Sequence, residues 1–391
     1  MDAGRCHLVG AAGVGMSALA QALVAGGWTV SGSDRYLDAG QELTVIAKLR
    51  RAGVRFVPQD GSGIAPATDA VVVSTAIEDD NPDLAAARRC GVPAVHRAAM
   101  LARLLEGTEA IAVTGTSGKT TVTGMIGYLL EQLGDDPTVV NGGVVVNWET
   151  AERVGNFRPG RWRRWVIEAD ESDRSLMAYR PDWAVITNVS SDHFPEAEAR
   201  ALFDRFAARV RREVLGPPGE AAPWGSFAPE LSAQGSRFVY RGQTFHVPLL
   251  GRHNAENALH AVLLCERLGH PLNRIAEALA GFGGIRRRLE VAGVDGGITV
   301  IDDYAHNPAK IRAAWRAVAP HYRRVLAVWR PHGFKPLREM FDAFGALFGQ
   351  MGQGGARLFL LPVYYAGGTV DASVTSATLA ADLAADGVPI E

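Results

Sequence analysis

The chain has 391 residues, 47% of them hydrophobic, and a formal net charge of −2 from 40 Lys and Arg against 42 Asp and Glu. This length favours two or three domains, and the balanced charge without a basic run argues against a nucleic-acid surface. The three cysteines form no C-x-x-C pair, no apolar run reaches about 18 residues, and the N-terminus lacks a charged-then-apolar signal. We therefore expect a cytoplasmic protein with no membrane segment.

The N-terminal part alternates predicted strands and helices. A short apolar run, "CHLVG" (6–10), is followed by the helical spacing of "GVGMSALAQALVAGG" and then by a second strand, "WTVSGSD". The fully apolar "AVVVSTAI" (70–77) is typical of a strand buried in a parallel sheet. These elements predict a doubly wound, Rossmann-like domain over residues 1–107.

The first predicted strand ends in a glycine turn that runs from Gly10 through Gly13 to Gly15. Its spacing departs from a strict G-x-G-x-x-G fingerprint, although glycines here would let a backbone approach a diphosphate at a helix N-terminus. Asp34, which ends the second strand, could accept a hydrogen bond from a ribose or a base. Plain tight-turn glycines are the alternative interpretation.

The second region begins with "AVTGTSGKTTVTG" (112–124), which follows a predicted strand and opens a predicted helix. This is the context of a phosphate-binding loop, in which Lys119 would lie against phosphates and Thr120 could ligate magnesium. The usual G-x-x-x-x-G-K-[ST] pattern requires a glycine at position 113, which is Val113. The stretch is therefore a damaged loop, a chance match or a shorter loop of another kind.

Polar residues follow the next two predicted strands. "WVIEADESDRS" (165–175) ends in four carboxylates, which repel one another unless a cation lies nearby, and "WAVITNVSSDHF" (183–194) ends in Asn188, Asp192 and His193. The carboxyl ends of parallel strands meet at one edge of a sheet, so Glu168 and His193 could lie near the phosphates of Lys119. A structural histidine is the alternative, because magnesium prefers oxygen ligands.

Later motifs are compatible with the same chemistry. Asn254 and Asn257 at the start of a predicted helix (249–269) could bind an adenine edge or simply cap the helix. Three successive arginines in "GFGGIRRRLEVAG" (281–293) are either solvated or in contact with an anion. "ITVIDDYAHNP" (298–308) predicts a strand with polar residues at its end, as in a second Rossmann-like sheet, with Pro308 opening a helix.

Taken in order along nearly the whole chain, these motifs resemble those of the Mur ligase family. The motifs are "GAAGVGMSALA", "GSD", "STAIEDDNP", "VTGTSGKTT", "EADESD", "TNVSSDH", "GRHNAEN", "GIRRRLE", "DDYAHNP" and "RPHGF". The phosphate loop of the family is the shorter G-T-x-G-K-T-T. The resemblance therefore implies that no glycine is required at position 113, and Val113 is not a defect. The likeness is strongest to the branch of the family that adds L-alanine.

The resemblance implies an α/β protein of three domains and an ATP-dependent ligase of peptidoglycan precursor synthesis. The expected parts are an N-terminal Rossmann-like UDP-sugar domain (1–107), a central P-loop-type ATP domain (108–282) and a truncated C-terminal Rossmann-like amino-acid domain (283–391). ATP would phosphorylate the carboxylate of UDP-N-acetylmuramate, and the amine, that of L-alanine in this branch, would displace the phosphate. ATP and Mg²⁺ are the implied cofactors, and no oligomeric state is implied.

Site residues are carried over by motif. The implied catalytic residues are Lys119, Glu168, His193, Arg288, Asp303 and His306. The implied metal ligands are Thr120, Glu168 and His193. The implied ATP-binding residues are Gly115, Thr116, Ser117, Gly118, Lys119, Thr120, Thr121, Asn254, Asn257 and Arg288. The implied UDP-sugar residues are Gly10, Gly13, Gly15, Met16, Ser33, Asp34 and Ser74.

Three departures from the family pattern stand out. Ser117 occupies a position where the alanine-adding enzymes have histidine, and the stretch between "TNVSSDHF" and "GRHNAEN" is short, so we expect fewer strands in the central domain. The chain stops soon after "LPVYYAGG" and an amphipathic helix, "VTSATLAADLAADG". A further parallel strand would normally follow that helix, so we expect an exposed sheet edge and weak ligation.

Two rival functions remain from the sequence. A recycling ligase would join the same UDP-sugar to a ready-made tripeptide, and "GIRRRLEV" leans towards it, whereas "RPHGF" favours the alanine-adding enzyme. A nucleotide-binding protein without catalysis is a different class, suggested only by the short C-terminal region. The retention of Lys119, Glu168 and His193 argues against it.

Overall fold

The computed structural model describes residues 3–190, 194–217, 223–364 and 373–390. The chain divides into two compact units. The N-terminal unit comprises Met1–Ala228, Phe238–Pro248 and Glu256–Arg286, and the C-terminal unit comprises Pro229–Arg237, Leu249–Ala255 and Arg287–Glu391. The predicted regions 1–107 and 108–282 each contain a parallel sheet, and most of both belongs to the N-terminal unit.

The first sheet has five parallel strands in the order β3-β2-β1-β4-β5. The strands are β1 (Arg5–Val9), β2 (Thr29–Ser33), β3 (Arg55–Phe56), β4 (Ala70–Val73) and β5 (Ala94–His96). The helices between and after them are α1 (Val14–Ala25), α2 (Arg35–Asp38), α3 (Thr44–Arg51), α4 (Pro82–Cys90) and α5 (Arg97–Leu104). The predicted doubly wound arrangement is confirmed, although β4 ends at Val73 and residues 74–77 form a turn.

The second sheet has six strands in the order β11-β10-β6-β9-β7-β8, parallel except for β8 at one edge. The strands are β6 (Glu109–Thr114), β7 (Thr138–Val140), β8 (Phe157–Arg158), β9 (Arg164–Glu168), β10 (Trp183–Ile186) and β11 (Glu213–Leu215). The helices of this region are α6 (Lys119–Gln132) and α7 (Glu196–Ala207). The predicted strand, glycine loop and helix at 112–124 are therefore confirmed.

Three short strands and two helices follow. They are β12 (Glu230–Ser232), β13 (Gly235–Tyr240), β14 (Gln243–Val247), α8 (Arg252–Arg267) and α9 (Leu272–Leu279). One apolar core, which includes Leu8 of β1 and Trp165 of β9, is continuous across the first and second sheets. The three cysteines are unpaired; Cys6 and Cys265 are buried, and Cys90 is half-buried at the end of α4.

From Arg287 onwards, the described residues of the C-terminal unit form two strand pairs and four α-helices. These elements are β15 (Glu290–Asp295), β16 (Ile298–Asp302), α10 (Pro308–Val318), β17 (Val325–Trp329), α11 (Phe334–Glu339), α12 (Phe341–Gln353), β18 (Ala356–Leu360) and α13 (Ser376–Ala385). Strands β17 and β18 are parallel, and α10 begins at Pro308 as predicted. None of the helices in the described part of the chain has the length and apolarity needed to cross a bilayer.

Two details of the C-terminal unit differ from the sequence expectation. Strand β16 pairs with β15 in an antiparallel hairpin, because Gly296 and Gly297 (φ 54° and 78°) form a two-residue turn with both φ angles positive. After α13, Ile390 bridges to Leu358 in parallel, and the Leu358 amide donates to the Pro389 carbonyl at 3.0 Å. The residues after the helix therefore form an isolated parallel bridge, which covers part of the β18 edge that we expected to be exposed.

Candidate functional site

The phosphate loop joins β6 to α6 through residues that require glycine at both ends. Gly115 and Gly118 have φ angles of 127° and 87°, which L side chains rarely adopt. A Cβ on Gly115 would collide with Thr187, and a Cβ on Gly118 would collide with the side-chain oxygen of Asn257. The loop is thus a tight cradle at the N-terminus of α6, where the helix dipole and free amide groups favour an anion.

Lys119, the first residue of α6, is held beneath this loop. Its Nζ donates to the Gly115 carbonyl at 3.0 Å and lies 2.6 Å from a carboxylate oxygen of Glu171. Burial opposes the charged ammonium, but the carboxylates of Glu171 and Glu168 outweigh it and raise the pKa of Lys119. The lysine therefore keeps its positive charge at the site where phosphate oxygens would bind.

Glu171, which the sequence analysis placed only in a group of four carboxylates, is the buried counter-charge of this lysine. It is 2% exposed, and its oxygens accept no hydrogen bond from other described residues. Burial raises the pKa of Glu171, and the Lys119 ammonium offsets that effect only in part.

Thr120 and Glu168 form the candidate metal site. The Thr120 hydroxyl donates to one carboxylate oxygen of Glu168 at 3.1 Å, and the Gly142 amide donates to the other at 2.8 Å. A hydroxyl and a carboxylate beside a phosphate cradle fit magnesium, which takes few protein oxygens and completes its shell with phosphate and water. The described residues include no cluster of three His, Cys, Asp or Glu side chains able to hold a metal by themselves. His193, the third predicted ligand, and Asp192 lie outside the described residues.

The middle of the phosphate loop is fixed by the residues that follow β10. The Ser117 amide donates to the Asn188 side chain at 3.0 Å, and the Ser117 carbonyl accepts from Asn188 at 2.8 Å and from Thr187 at 2.5 Å. The Thr116 hydroxyl bonds the backbone of Ser190, and Thr121 is buried in α6. Ser117 itself is exposed, so its backbone and not its side chain determines the path of the loop.

The two predicted adenine-binding amides have different surroundings. Asn257 belongs to the N-terminal unit and packs against Gly118 of the phosphate loop. Asn254 belongs to the C-terminal unit, where its amide donates to the Leu250 carbonyl at 2.8 Å. The structure therefore places Asn257 beside the phosphate loop. The described hydrogen bond of Asn254 to the Leu250 carbonyl is instead typical of a side chain at the end of a helix.

A cleft of about 510 Å³ joins the carboxyl edges of the first and second sheets within the N-terminal unit. Its lining includes most of the predicted UDP-sugar residues, namely Gly10, Gly13, Gly15, Met16, Asp34 and Ser74. The candidate metal ligand Glu168 lines the same cleft. A ligand in this cleft would therefore contact both the first glycine turn and the candidate metal ligand Glu168.

The two polar residues at the end of β2 have mainly structural partners. The Asp34 carboxylate accepts from the amides of Ala12 at 2.9 Å and Tyr36 at 3.1 Å, so it fixes the glycine turn and caps α2. Ser33 is fully buried, does not line the cleft and donates to Asp83 at 2.5 Å. A direct contact between ligand and Ser33 is therefore not supported by its position.

Arg97 is a cleft residue that the sequence analysis missed. Its guanidinium lies 3.5 Å from both Asp170 and Asp173, and it also packs against Gly15, where a Cβ would lie 3.0 Å from Nη1. Burial opposes the ionised form of Asp170, but Lys119, Ser172 and Arg97 outweigh it and lower its pKa. The sequence did contain a signal for such a residue, because the carboxylates of the acidic stretch 168–173 require nearby cations.

Three of the predicted residues in the C-terminal unit, Arg288, Asp303 and His306, lie near one another. Asp303 accepts from the amides of Leu289 at 2.8 Å and Ala305 at 2.7 Å, and burial raises its pKa. The Arg288 guanidinium lies 5.7 Å from the centre of the Tyr304 ring, and the His306 ring contacts Tyr304 edge to face at 5.3 Å. Arg288 and His306 thus contact one tyrosine, and the Arg288 charge also acts on the Asp303 carboxylate, where it partly offsets the raised pKa.

Comparisons with known proteins agree with the motifs. Residues 5–108 match the family model "Mur ligase family, catalytic domain", residues 113–199 match "Mur ligase middle domain", and residues 287–388 match "Mur ligase, glutamate ligase domain". The UDP-N-acetylmuramate–L-alanine ligase of Chelativorans sp. is 34% identical over 98% of this chain and 88% of its own. The enzyme of the same name from a Synechococcus species is 37% identical over 92% of this chain and 78% of its own.

Solved structures show the same relationship. The UDP-N-acetylmuramate-alanine ligase of Thermotoga maritima superposes with a TM-score of 0.81 at 28% identity, over 99% of this chain and 89% of that chain. A murein peptide ligase from Psychrobacter arcticus shares the fold with a TM-score of 0.67 at 23% identity, over 91% of this chain and 84% of that chain. The predicted three-domain α/β fold is confirmed, while boundaries at residues 107 and 282 stay predictions. By motif, sequence and fold, the chain belongs to the Mur ligase family.

Proposed function

We propose that the protein is an ATP-dependent ligase that joins the carboxylate of UDP-N-acetylmuramate to the amino group of L-alanine in peptidoglycan precursor synthesis. The proposal depends on one observation: the first glycine turn and Glu168 line the same cleft. Glu168 in turn accepts a hydrogen bond from Thr120, next to Lys119 of the phosphate loop. Relatives that carry this activity in their names match over nearly the whole chain. We also propose that it acts in the cytoplasm, where ATP is available.

The proposed reaction has two steps. A carboxylate oxygen of the UDP-sugar attacks the terminal phosphorus of ATP, ADP leaves, and an acyl phosphate forms. The neutral amine then attacks the acyl carbon, inorganic phosphate leaves, the amine loses a proton and an amide results. The first step brings two anions together, so Lys119, which keeps its charge, would offset their repulsion.

We propose Mg²⁺ as the metal, held by Thr120 and Glu168, with His193 as a third ligand by family resemblance. The ion would neutralise developing phosphate charge, while the Gly142 amide orients the Glu168 carboxylate. Gly115, Thr116, Ser117, Gly118 and Thr121 would supply the backbone cradle. Asn257 would lie beside the nucleotide, and Asn254, Arg288, Asp303 and His306 keep the roles that the resemblance implies.

The magnesium proposal is tested by the metal dependence of phosphate release. Glu168→Gln removes the charge of the ligand while keeping its shape, so the Mg²⁺ concentration for half-maximal rate should rise by about tenfold or more. Asp173→Asn, in the same acidic stretch, is the control and should leave that concentration within about twofold. Equal Mg²⁺ requirements in Glu168→Gln and the unaltered protein would remove Glu168 from the metal site.

The function itself is tested by phosphate release with ATP, Mg²⁺ and UDP-N-acetylmuramate, against L-alanine, glycine, L-serine and the tripeptide of the recycling ligases. We expect the highest kcat/KM with L-alanine. Phosphate release with the tripeptide, and with none of the three amino acids, would identify the recycling activity instead. Binding of nucleotide and UDP-sugar without release for any acceptor would favour a non-catalytic homologue.

A further inference from the structure

A buried amide network connects the helix of the first glycine turn to the second sheet. Asn156, which directly precedes β8, is fully buried. Its Nδ2 donates to the Val14 carbonyl at 2.9 Å and to the Ser17 hydroxyl at 2.8 Å, and its Oδ1 accepts from Gln21 at 2.9 Å. Three hydrogen bonds from one side chain therefore hold the first two turns of α1.

The backbone of the same residue leads to the candidate metal site. The Asn156 carbonyl accepts from the Asn141 amide at 2.9 Å, and the amide of the next residue, Gly142, donates to Glu168 at 2.8 Å. Glu168 in turn accepts from Thr120 of the phosphate loop at 3.1 Å. A continuous path of hydrogen bonds thus runs from the N-terminus of α1 to the phosphate loop.

We infer that Asn156 is a positioning residue that sets the distance between the UDP-sugar, held at α1, and the phosphoryl group, held at the phosphate loop. This inference rests on the proposed ligase function. In-line transfer requires reacting atoms about 3–3.5 Å apart, and a misplacement of about 1 Å can cost about 100-fold in rate. The apolar core between the two sheets is non-directional, whereas the hydrogen bonds of Asn156 have preferred lengths and angles.

Asn156→Ala separates positioning from folding. After the change, Gln21 Nε2 still donates to the Ser17 carbonyl at 2.9 Å, and the Val14 carbonyl still accepts from the Ser17 hydroxyl at 2.9 Å. The remaining polar groups of α1 therefore keep partners, and the protein should fold. Each ligand keeps its own half of the site, so separate affinities should change by less than about threefold while kcat falls by about 100-fold.

The control is Val30→Ala, which removes buried apolar volume from β2 without touching the network. We would measure kcat for phosphate release and, by calorimetry, the separate affinities for UDP-N-acetylmuramate and Mg·ADP. Val30→Ala should lower the melting temperature and leave kcat, below that temperature, within about twofold. An Asn156→Ala kcat equal to that of Val30→Ala, or a collapse of either separate affinity, would overturn the inference. Should Asn156→Ala not fold, Ser17→Ala is the second variant: it removes the 2.8 Å bond from Asn156 and the hydroxyl bond to the Val14 carbonyl, which keeps Asn156 as a donor. It should lower kcat by about 3–10-fold, and an unchanged kcat would count against the inference.

Amide hydrogen exchange gives a readout that does not require ligation. If the path transmits position, Mg·ADP should slow exchange at residues 14–21 in the unaltered protein and not in Asn156→Ala. Equal slowing in both proteins would overturn the inference. A protein that shows this difference but releases no phosphate with any acceptor would contradict the proposed function alone.

Discussion

The N-terminal unit contains two glycine turns that are built alike and equipped differently. Each follows an interior strand of a parallel sheet, β1 or β6, and each opens a helix whose first residue has no side-chain cap among the described residues. The second turn contains its own cation, Lys119. The first turn contains none, and its nearby guanidinium comes from Arg97, more than 80 residues along the chain.

This difference separates holding a phosphate from transferring one. The first turn is fixed by an anion, Asp34, that accepts from the Ala12 amide, an arrangement suited to a ligand with both donors and phosphate oxygens. The second turn places a charged ammonium and a candidate metal site within one cradle. The charge that would stabilise a transition state in the proposed reaction is thus concentrated at one of these two helix ends.

The largest expected effect comes from removing the cation of the second turn. Lys119→Ala should lower turnover by roughly 10²–10³, the scale for losing one preorganised electrostatic contact. Lys48→Ala is a matched control, because Lys48 is also largely buried in the N-terminal unit but pairs with Glu149 at 3.0 Å. Near-normal phosphate release by folded Lys119→Ala would make the two turns equivalent and remove Lys119 from the mechanism.

Acid should destabilise the protein through His260, which contacts Thr187, a residue that hydrogen-bonds the phosphate loop. His260 is 1% exposed, its Nε2 lies 3.1 Å from the Thr187 carbonyl, and burial lowers its pKa to about 4. Between pH 6.5 and 4 the unfolded chain binds a proton at this histidine that the folded protein does not bind, so the contribution of His260 to stability falls as the pH falls, by about 3 kcal/mol over this range.

Urea unfolding at pH 7, 6, 5 and 4.5 checks this. His260→Gln should make the pH dependence shallower, with a remaining slope from His253, whose pKa burial also lowers to about 4. His246→Gln, at an exposed position of β14, should leave the slope unchanged. The same slope in His260→Gln and the unaltered protein would show that the buried histidine takes its proton without cost.

Alanine should be tolerated differently in the two turns. Gly118 has φ 87° and a neighbour, Asn257, in the way of a Cβ, so Gly118→Ala should cost about 1–2 kcal/mol or more and weaken Mg·ADP binding. Gly13 has φ −59°, and its nearest neighbour would lie 3.3 Å from the new carbon, so Gly13→Ala should change stability by less than about 1 kcal/mol. The melting temperatures of both variants test this prediction. Equal losses of stability in Gly118→Ala and Gly13→Ala would contradict the assigned backbone geometry.

The smallest effect should come from removing Arg97, the cation of α5 that lies beside the first glycine turn. Arg97→Ala should raise the KM for UDP-N-acetylmuramate by about tenfold, the loss of one partly exposed charged contact, and leave Mg·ADP affinity unchanged. Arg103→Ala, at an exposed position of the same helix, is the control. A loss of Mg·ADP affinity in Arg97→Ala would instead place the arginine at the phosphate loop.

Local patterns predicted the elements of the fold well. Hydrophobic runs that end in glycine or carboxylates located β1, β6 and β9, because strand, turn and helix signals all lie within about 30 residues. The hairpin of β15 and β16 was not predicted, because its Gly296-Gly297 turn lies in a region where the flanking sequence has the βα alternation typical of parallel sheets.

Partners far apart in sequence could not be predicted. Asn156 and Ser17 are separated by 139 positions, and Lys119 and Glu171 by 52, so their meeting depends on strand order and not on any local pattern. The carboxylates at 168–173 did indicate that cations must lie nearby, but not which ones. The family resemblance supplied motif residues such as Lys119 and Glu168, and the positioning residues around them emerge only from the packing.

The cysteines give this protein a built-in labelling site. Burial raises the pKa of Cys6 to about 12 and also raises the pKa of Cys265, so neither thiol is reactive at neutral pH. Cys90 is half-buried and is the least buried of the three thiols. It ends α4, the helix that also contains Asp83, whose carboxylate accepts from the Gly61 amide at 2.9 Å and from the Ser33 hydroxyl. A thiol reagent should therefore modify Cys90 in preference to the other two cysteines, so a label can be attached to α4 without an engineered residue.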